Sequence, residues 1–110
     1  MPLQLSAGVL VLATHLMAFA GEPKCAGAAV ERSKQLLAFH FGPDDRIEVD
    51  RKVKELSPMP SPVNPNENLE VLELWGYVYK GRYRIRMIYD QTSTVRCVLM
   101  GEEILDFGRR

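Results

Sequence analysis

The sequence predicts an α+β domain: one N-terminal helix packed on an antiparallel sheet of about four strands, in two layers, with one disulfide. Three observations predict it. Residues 25–41 space their apolar side chains by three and four, the helical repeat. The chain beyond residue 46 alternates apolar with polar residues, the strand repeat. Two cysteines, Cys25 and Cys97, flank these segments. The 110 residues are 46% hydrophobic and 25% charged, which suits one modest core and not a disordered chain. Formal net charge is zero, so no overall field favours nucleic acid and any electrostatic preference must be local.

Residues 1–20, MPLQLSAGVLVLATHLMAFA, contain no Asp, Glu, Lys or Arg. The apolar run from Ala7 to Phe19 is short for a membrane span, and Ala18-Phe19-Ala20 has the small-x-small pattern that signal peptidase reads. Residues 1–20 are therefore expected to be a cleavable signal peptide and 21–110 a single domain, exported to a periplasm or secreted. Left uncleaved, the same segment would be a membrane anchor or a buried first helix. In an exported domain the thiols of Cys25 and Cys97 are expected to join. Their spacing is not the C-x-x-C of a redox pair, and with His40 as the one histidine beyond the leader they make no zinc set.

From Cys25 to Phe41 good helix formers carry an apolar stripe of Ala26, Ala29, Val30, Leu36, Leu37 and His40-Phe41. Glu31, Arg32, Lys34 and Gln35 fall on the wet side. Gly42-Pro43 ends the helix, because Gly accepts the left-handed cap and Pro cannot continue it. Residues 47–56, IEVDRKVKEL, alternate as a half-buried edge strand whose charges discourage pairing with other chains. Residues 57–68 carry Pro58, Pro60, Pro62 and Pro65, which remove backbone donors and make a long loop. Leu69–Tyr79 and Arg82–Asp90 are rich in β-branched and aromatic residues, and Lys80-Gly81 between them is expected to make a two-residue turn with Gly at positive φ. Residues 94–100 form the next strand, and EEILDF, residues 102–107, is either its continuation after a bulge or a short terminal turn.

Counting outward from a Lys80-Gly81 turn pairs Tyr79 with Arg82, Tyr77 with Arg84, Trp75 with Arg86 and Glu73 with Ile88. Val78, Gly76, Leu74 and Leu72 then lie with Tyr83, Ile85, Met87 and Tyr89 on the core face. For Cys97 to reach Cys25 from a strand it would face the helix opposite Met87, after a loop Gln91-Thr92-Ser93, which sets Arg96 beside Ile88. Trp75, Tyr77, Tyr79, Arg82, Arg84, Arg86 and Arg96 are thus expected to share one face, a ladder of rings and guanidinium groups with cation–π contacts between strands.

That face is the candidate binding surface. Arginine presents a planar fork to carboxylate, sulfate or phosphate, and Trp, Tyr and Arg are enriched where proteins meet partners. The expected function is a small exported non-enzymatic binding module that meets an anionic protein or glycan. The competing reading is an accessory structural domain of the cell envelope with no ligand on that face, where rings and arginine stems merely cover a thin sheet. An enzyme is the third reading. It would need an acid pair around Asp44, Asp45, Glu48 or Glu102, because no nucleophile elbow, phosphate-binding glycine loop or zinc-helix motif occurs. No catalytic residue, metal ligand or cofactor is assigned, and nucleic acid is not an expected partner.

Overall fold

Residues 22–92 and 96–110 are described by a computed structural model. The leader expected at residues 1–20, Ser93 of the expected loop and Thr94-Val95 of the strand expected at 94–100 lie outside the described residues; of the rest of that strand, 96–98 are not in a strand and only Leu99-Met100 are. Helix α1 runs Ala26–Phe41. It is followed by β1 (Ile47–Val49), β2 (Lys54–Glu55), β3 (Met59–Pro60), β4 (Asn68–Val78), β5 (Gly81–Asp90) and β6 (Leu99–Arg109). The strands form one antiparallel sheet in the order β1-β4-β5-β6, with β2 and β3 also pairing β4. The six strands occupy four rows, because β1, β2 and β3 line up along the edge of β4 that β5 leaves open.

The helix begins and ends where the sequence directs. Gly42 stops the helix at φ +82° and ψ +157°, a positive φ that a side chain would oppose but an extended ψ in place of the expected left-handed cap, and its N–H donates to the Ala38 carbonyl at 2.8 Å. Ala26, Ala29, Val30, Leu36 and Leu37 are buried against the sheet. The last turn departs from the expected stripe: His40 and Phe41 are exposed, and Phe39 is 83% exposed. Ser33 takes an interior position instead, since a small side chain lets the helix backbone approach the sheet. No side chain caps the first turn at Cys25. Cys25 is bonded to Cys97, with Cα atoms 5.7 Å apart, and this joins the helix start to the chain entering β6. Such a bond is consistent with an oxidising compartment.

The core lies between α1 and the sheet face carrying Leu72, Leu74, Ile85, Met87 and Tyr89, all at most 2% exposed. Gly76 belongs to this face for lack of room. A Cβ there would stand 2.7 Å from Leu37 Cδ1 and 3.0 Å from Ile85 Cδ1.

Three details of the expected strands are corrected. The 47–56 strand is broken. Val49 pairs with Gly76 but Lys54 pairs with Glu73, so the outer chain carries two extra residues and bows out between them. The Pro-rich segment is not wholly loop. Met59-Pro60 pairs with Leu69-Asn68, where the missing proline donor does no harm on an outer strand, and the chain turns back as Ser61 N–H donates to Glu67 O at 2.9 Å. The first hairpin closes at Tyr79-Lys80, with Val78 opposite Gly81. Positive φ falls on Tyr79 (+55°), not on Gly81. The Tyr83 ring lies over Gly81, where a Cβ would stand 2.7 Å from its hydroxyl and require that ring to shift.

A polar residue extends the core face of β4 beyond its apolar positions. Glu70 lies opposite Tyr89, and partial burial, aided by Glu55 and opposed by Lys24, raises its pKa. A carboxyl whose folded pKa exceeds its unfolded value supports folding fully below the unfolded value and loses that support as pH rises through the folded one. Glu70→Gln is therefore expected to raise the urea midpoint at pH 8 and to leave it unchanged near pH 3. A gain of equal size at both pH values would show that ionisation is not the cause.

Candidate functional site

A hairpin register shifted by two residues keeps every side chain on its face and changes every partner. With β4 and β5 paired about the Tyr79-Lys80 turn, Tyr77 stands opposite Arg82, Trp75 opposite Arg84 and Glu73 opposite Arg86. Trp75, Tyr77, Arg82, Arg84 and Arg86 thus share the face turned away from α1, as the sequence predicts, but the expected rungs are displaced. The displacement has a physical reason. It sets Glu73 against Arg86, whereas the expected register leaves that carboxylate beside Ile88.

Two residues leave the ladder. Tyr79 is in the turn, half-exposed, with Arg46 at 5.0 Å and Lys80 at 5.5 Å from its ring centre. Arg96 lies before the first residue of β6, outside the strand. Cys97 also lies before the ladder, and Met87 faces Glu102 while Ile88 faces Gly101. The bond from Cys97 to the helix start forms at the end of the sheet, so it does not require the cysteine to occupy a paired position.

The places expected for Arg96 and its neighbours are filled by residues that the sequence reading missed. Between Ile88↔Gly101 and Tyr89↔Leu99 the register shifts by one at Met100. That bulge turns Glu103, Leu105 and Phe107 to the ladder face and Glu102, Ile104 and Asp106 to the helix side. A second bulge, at Phe107-Gly108, uses positive φ at Gly108 (+83°). Beyond it Arg110 folds over the hairpin end, stacking on Tyr77 at 4.5 Å with its Nη2 3.3 Å from Glu48 Oε2. The alternation in GEEILDFGRR was the available signal, but its facing depends on the bulge.

The ladder arginines differ in what they touch. Arg86 Nε donates to Glu73 Oε2 at 3.0 Å, its Nη2 forms an ion pair with the same oxygen at 3.0 Å, and the Glu73 side chain is only 13% exposed. Arg84 lies between two acids, its Nε 3.8 Å from Glu73 and its Nη2 3.5 Å from Glu103. These are ion pairs too long for strong hydrogen bonds, and the buried Arg84 Nε has no hydrogen-bond partner. Arg82 has no carboxylate within ion-pair distance among the described residues. Its guanidinium lies over Trp75 at 4.8 Å and near Phe107 at 5.9 Å, and those two rings meet edge to face at 5.2 Å. Its Nε is buried without a hydrogen-bond partner. Arg82 also lines a cleft of about 490 Å³ with Glu48, Val49, Asp50, Tyr77 and Arg110.

Of the acids considered for catalysis, Asp44, Glu48 and Glu102 each face an arginine, and Asp45 lies beside Asp44. Asp44 accepts from Arg46 Nε, Nη2 and backbone N–H at 3.0, 2.8 and 2.9 Å, and these bonds hold its pKa at about 2. Glu48 faces Arg110. Glu102 accepts from Arg32 Nε and Nη2 at 2.7 and 3.0 Å, tying α1 to β6, and that partner lowers its pKa. Among the described residues no group of three His, Cys, Asp or Glu is arranged to hold a metal ion, and no helix is long and apolar enough to cross a membrane. The chain matches no protein-family model, no curated protein and no solved structure.

Proposed function

We propose that this protein is a small exported, non-enzymatic binding module whose aromatic–arginine sheet face meets an anionic protein or glycan. The observation that carries the reading is the unequal treatment of three neighbouring arginines. Arg84 and Arg86 are neutralised by Glu73 and Glu103, while Arg82 lies over Trp75 near Phe107, has no carboxylate within ion-pair distance among the described residues and opens onto a cleft. A guanidinium held flat by aromatic neighbours keeps its donors directed and loses little freedom when a carboxylate or sulfate arrives. The disulfide and the leader-like residues 1–20 support export.

The test is affinity capture from envelope extract by the oxidised protein beside Arg82→Ser and Arg86→Ser variants of equal melting behaviour. A partner held by wild type and Arg86→Ser but released by Arg82→Ser is the expected result. Equal capture by all three would refute the reading.

One feature favours a second reading, an envelope accessory domain that docks by its sheet edge. The outer side of the 11-residue β6 has no strand partner among the described residues. Its two bulges and the acids Glu102, Glu103 and Asp106 are devices that discourage edge pairing, which ranks this reading second.

A further inference from the structure

We infer that the cleft beside Arg82 is a subsite for an acidic saccharide, one carboxylate-bearing sugar unit seated against Arg82 and Tyr77. The inference rests on the proposed binding face and specifies the chemistry of its ligand. The lining combines guanidinium donors, from Arg82 and Arg110, with carboxylate acceptors, Glu48 and Asp50, around one aromatic ring. Arg110 is already paired with Glu48 and stacked on Tyr77, so Arg82 is the cation left to receive a negative group.

Such a lining discriminates among anions. The side chains of a glutamate run, or a run of phosphates, bring charge but no hydroxyl donors, and so leave Glu48 and Asp50 facing further acceptors. A uronate brings one carboxylate and several hydroxyls. The carboxylate accepts from the Arg82 fork and the hydroxyls donate to Glu48 and Asp50. Glu48 and Asp50 are both exposed and open to such donors. A second cleft of about 750 Å³ shares Glu48 and Arg110 with the first and continues past Tyr79 to Lys80 and Arg109. Neither Lys80 nor Arg109 has a carboxylate within ion-pair distance among the described residues. A short chain of sugars can therefore extend toward further positive charge.

Trp75 is the one tryptophan of the chain and lies under Arg82, so its fluorescence reports directly on this subsite. The experiment titrates the oxidised protein with a trigalacturonate, with its methyl ester and with a hexaglutamate peptide. The expected result is a saturable Trp75 change with the trigalacturonate, weakened about ten- to a hundredfold by esterification, as for loss of a hydrogen-bonded charge. Arg82→Ser is expected to lose affinity by a similar factor. Arg82→Lys, which keeps stem and charge but not the fork, is expected to hold the melting temperature while still binding more weakly than wild type. Equal binding of acid and ester, or binding indifferent to both Arg82 variants, overturns the inference. Tighter binding of hexaglutamate that is lost in Arg82→Lys overturns the saccharide while sustaining the anionic face. Absence of binding by all three probes overturns the subsite, and the capture experiment then decides the broader reading separately.

Discussion

Protein carrying Cys25→Ala and Cys97→Ala is expected to unfold with about 4 kcal/mol less free energy than the oxidised wild type, on the chain-entropy account of a cross-link. The bond spans 72 residues, so its loss frees almost the whole described chain in the unfolded state. The native state gives a second reason. The first turn of α1 has no side-chain cap, and β6 pairing starts only at Leu99, two residues beyond Cys97. The bond is thus what fastens the helix start to the chain entering β6. Small domains have unfolding free energies of roughly 5–15 kcal/mol, so a change of this size removes a large share. Urea unfolding followed by Trp75 fluorescence and far-UV circular dichroism measures it, and reducing the wild type should give the same value. A difference below about 1 kcal/mol would mean that the unfolded chain already keeps these ends together.

Leu37→Ala is expected to cost about 2–5 kcal/mol, because a fully buried side chain is removed from a packed core and the remaining space collapses only in part. Gly76→Ala alone is expected to cost about 1–3 kcal/mol, since its new methyl would press on Leu37 and Ile85. The two together should cost less than their sum. The methyl at 76 enters space that Leu37 Cδ1 occupies in the wild type, so the cycle should show a favourable coupling of about 0.5–3 kcal/mol. Denaturant melts of the four proteins decide the matter. Strict additivity would show that Ile85 rather than Leu37 limits the room at Gly76.

Elements whose signals are local were legible in the chain alone. The spacing of Ala26, Ala29, Val30, Leu36 and Leu37 with Gly42-Pro43 behind it defines α1, because a 3.6-residue repeat and a glycine stop at positive φ need no distant partner. Two cysteines allow one intramolecular bond, and it is present. The face of each side chain in β4 and β5 was likewise legible, since period-two alternation assigns Leu72, Leu74, Ile85 and Met87 to one side and Trp75, Tyr77, Arg82, Arg84 and Arg86 to the other.

Tertiary structure decided what that alternation leaves degenerate. A slip of two residues preserves every face, so only cross-strand energies, among them Arg86 on Glu73, choose between the Lys80-Gly81 and Tyr79-Lys80 turns. A bulge inverts every face beyond it; the sequence allowed residues 102–107 to continue a strand after one or to form a terminal turn, and the pairing of β5 with β6 as a whole selects the bulge, at Met100, and with it the place of Glu103 and Phe107. The break in residues 47–56 and the Arg32–Glu102 pair, 70 residues apart, arise in the same way. Which arginine lacks a carboxylate is therefore a property of the assembled sheet: alternation makes Arg82, Arg84 and Arg86 equivalent, and long-range register makes them different.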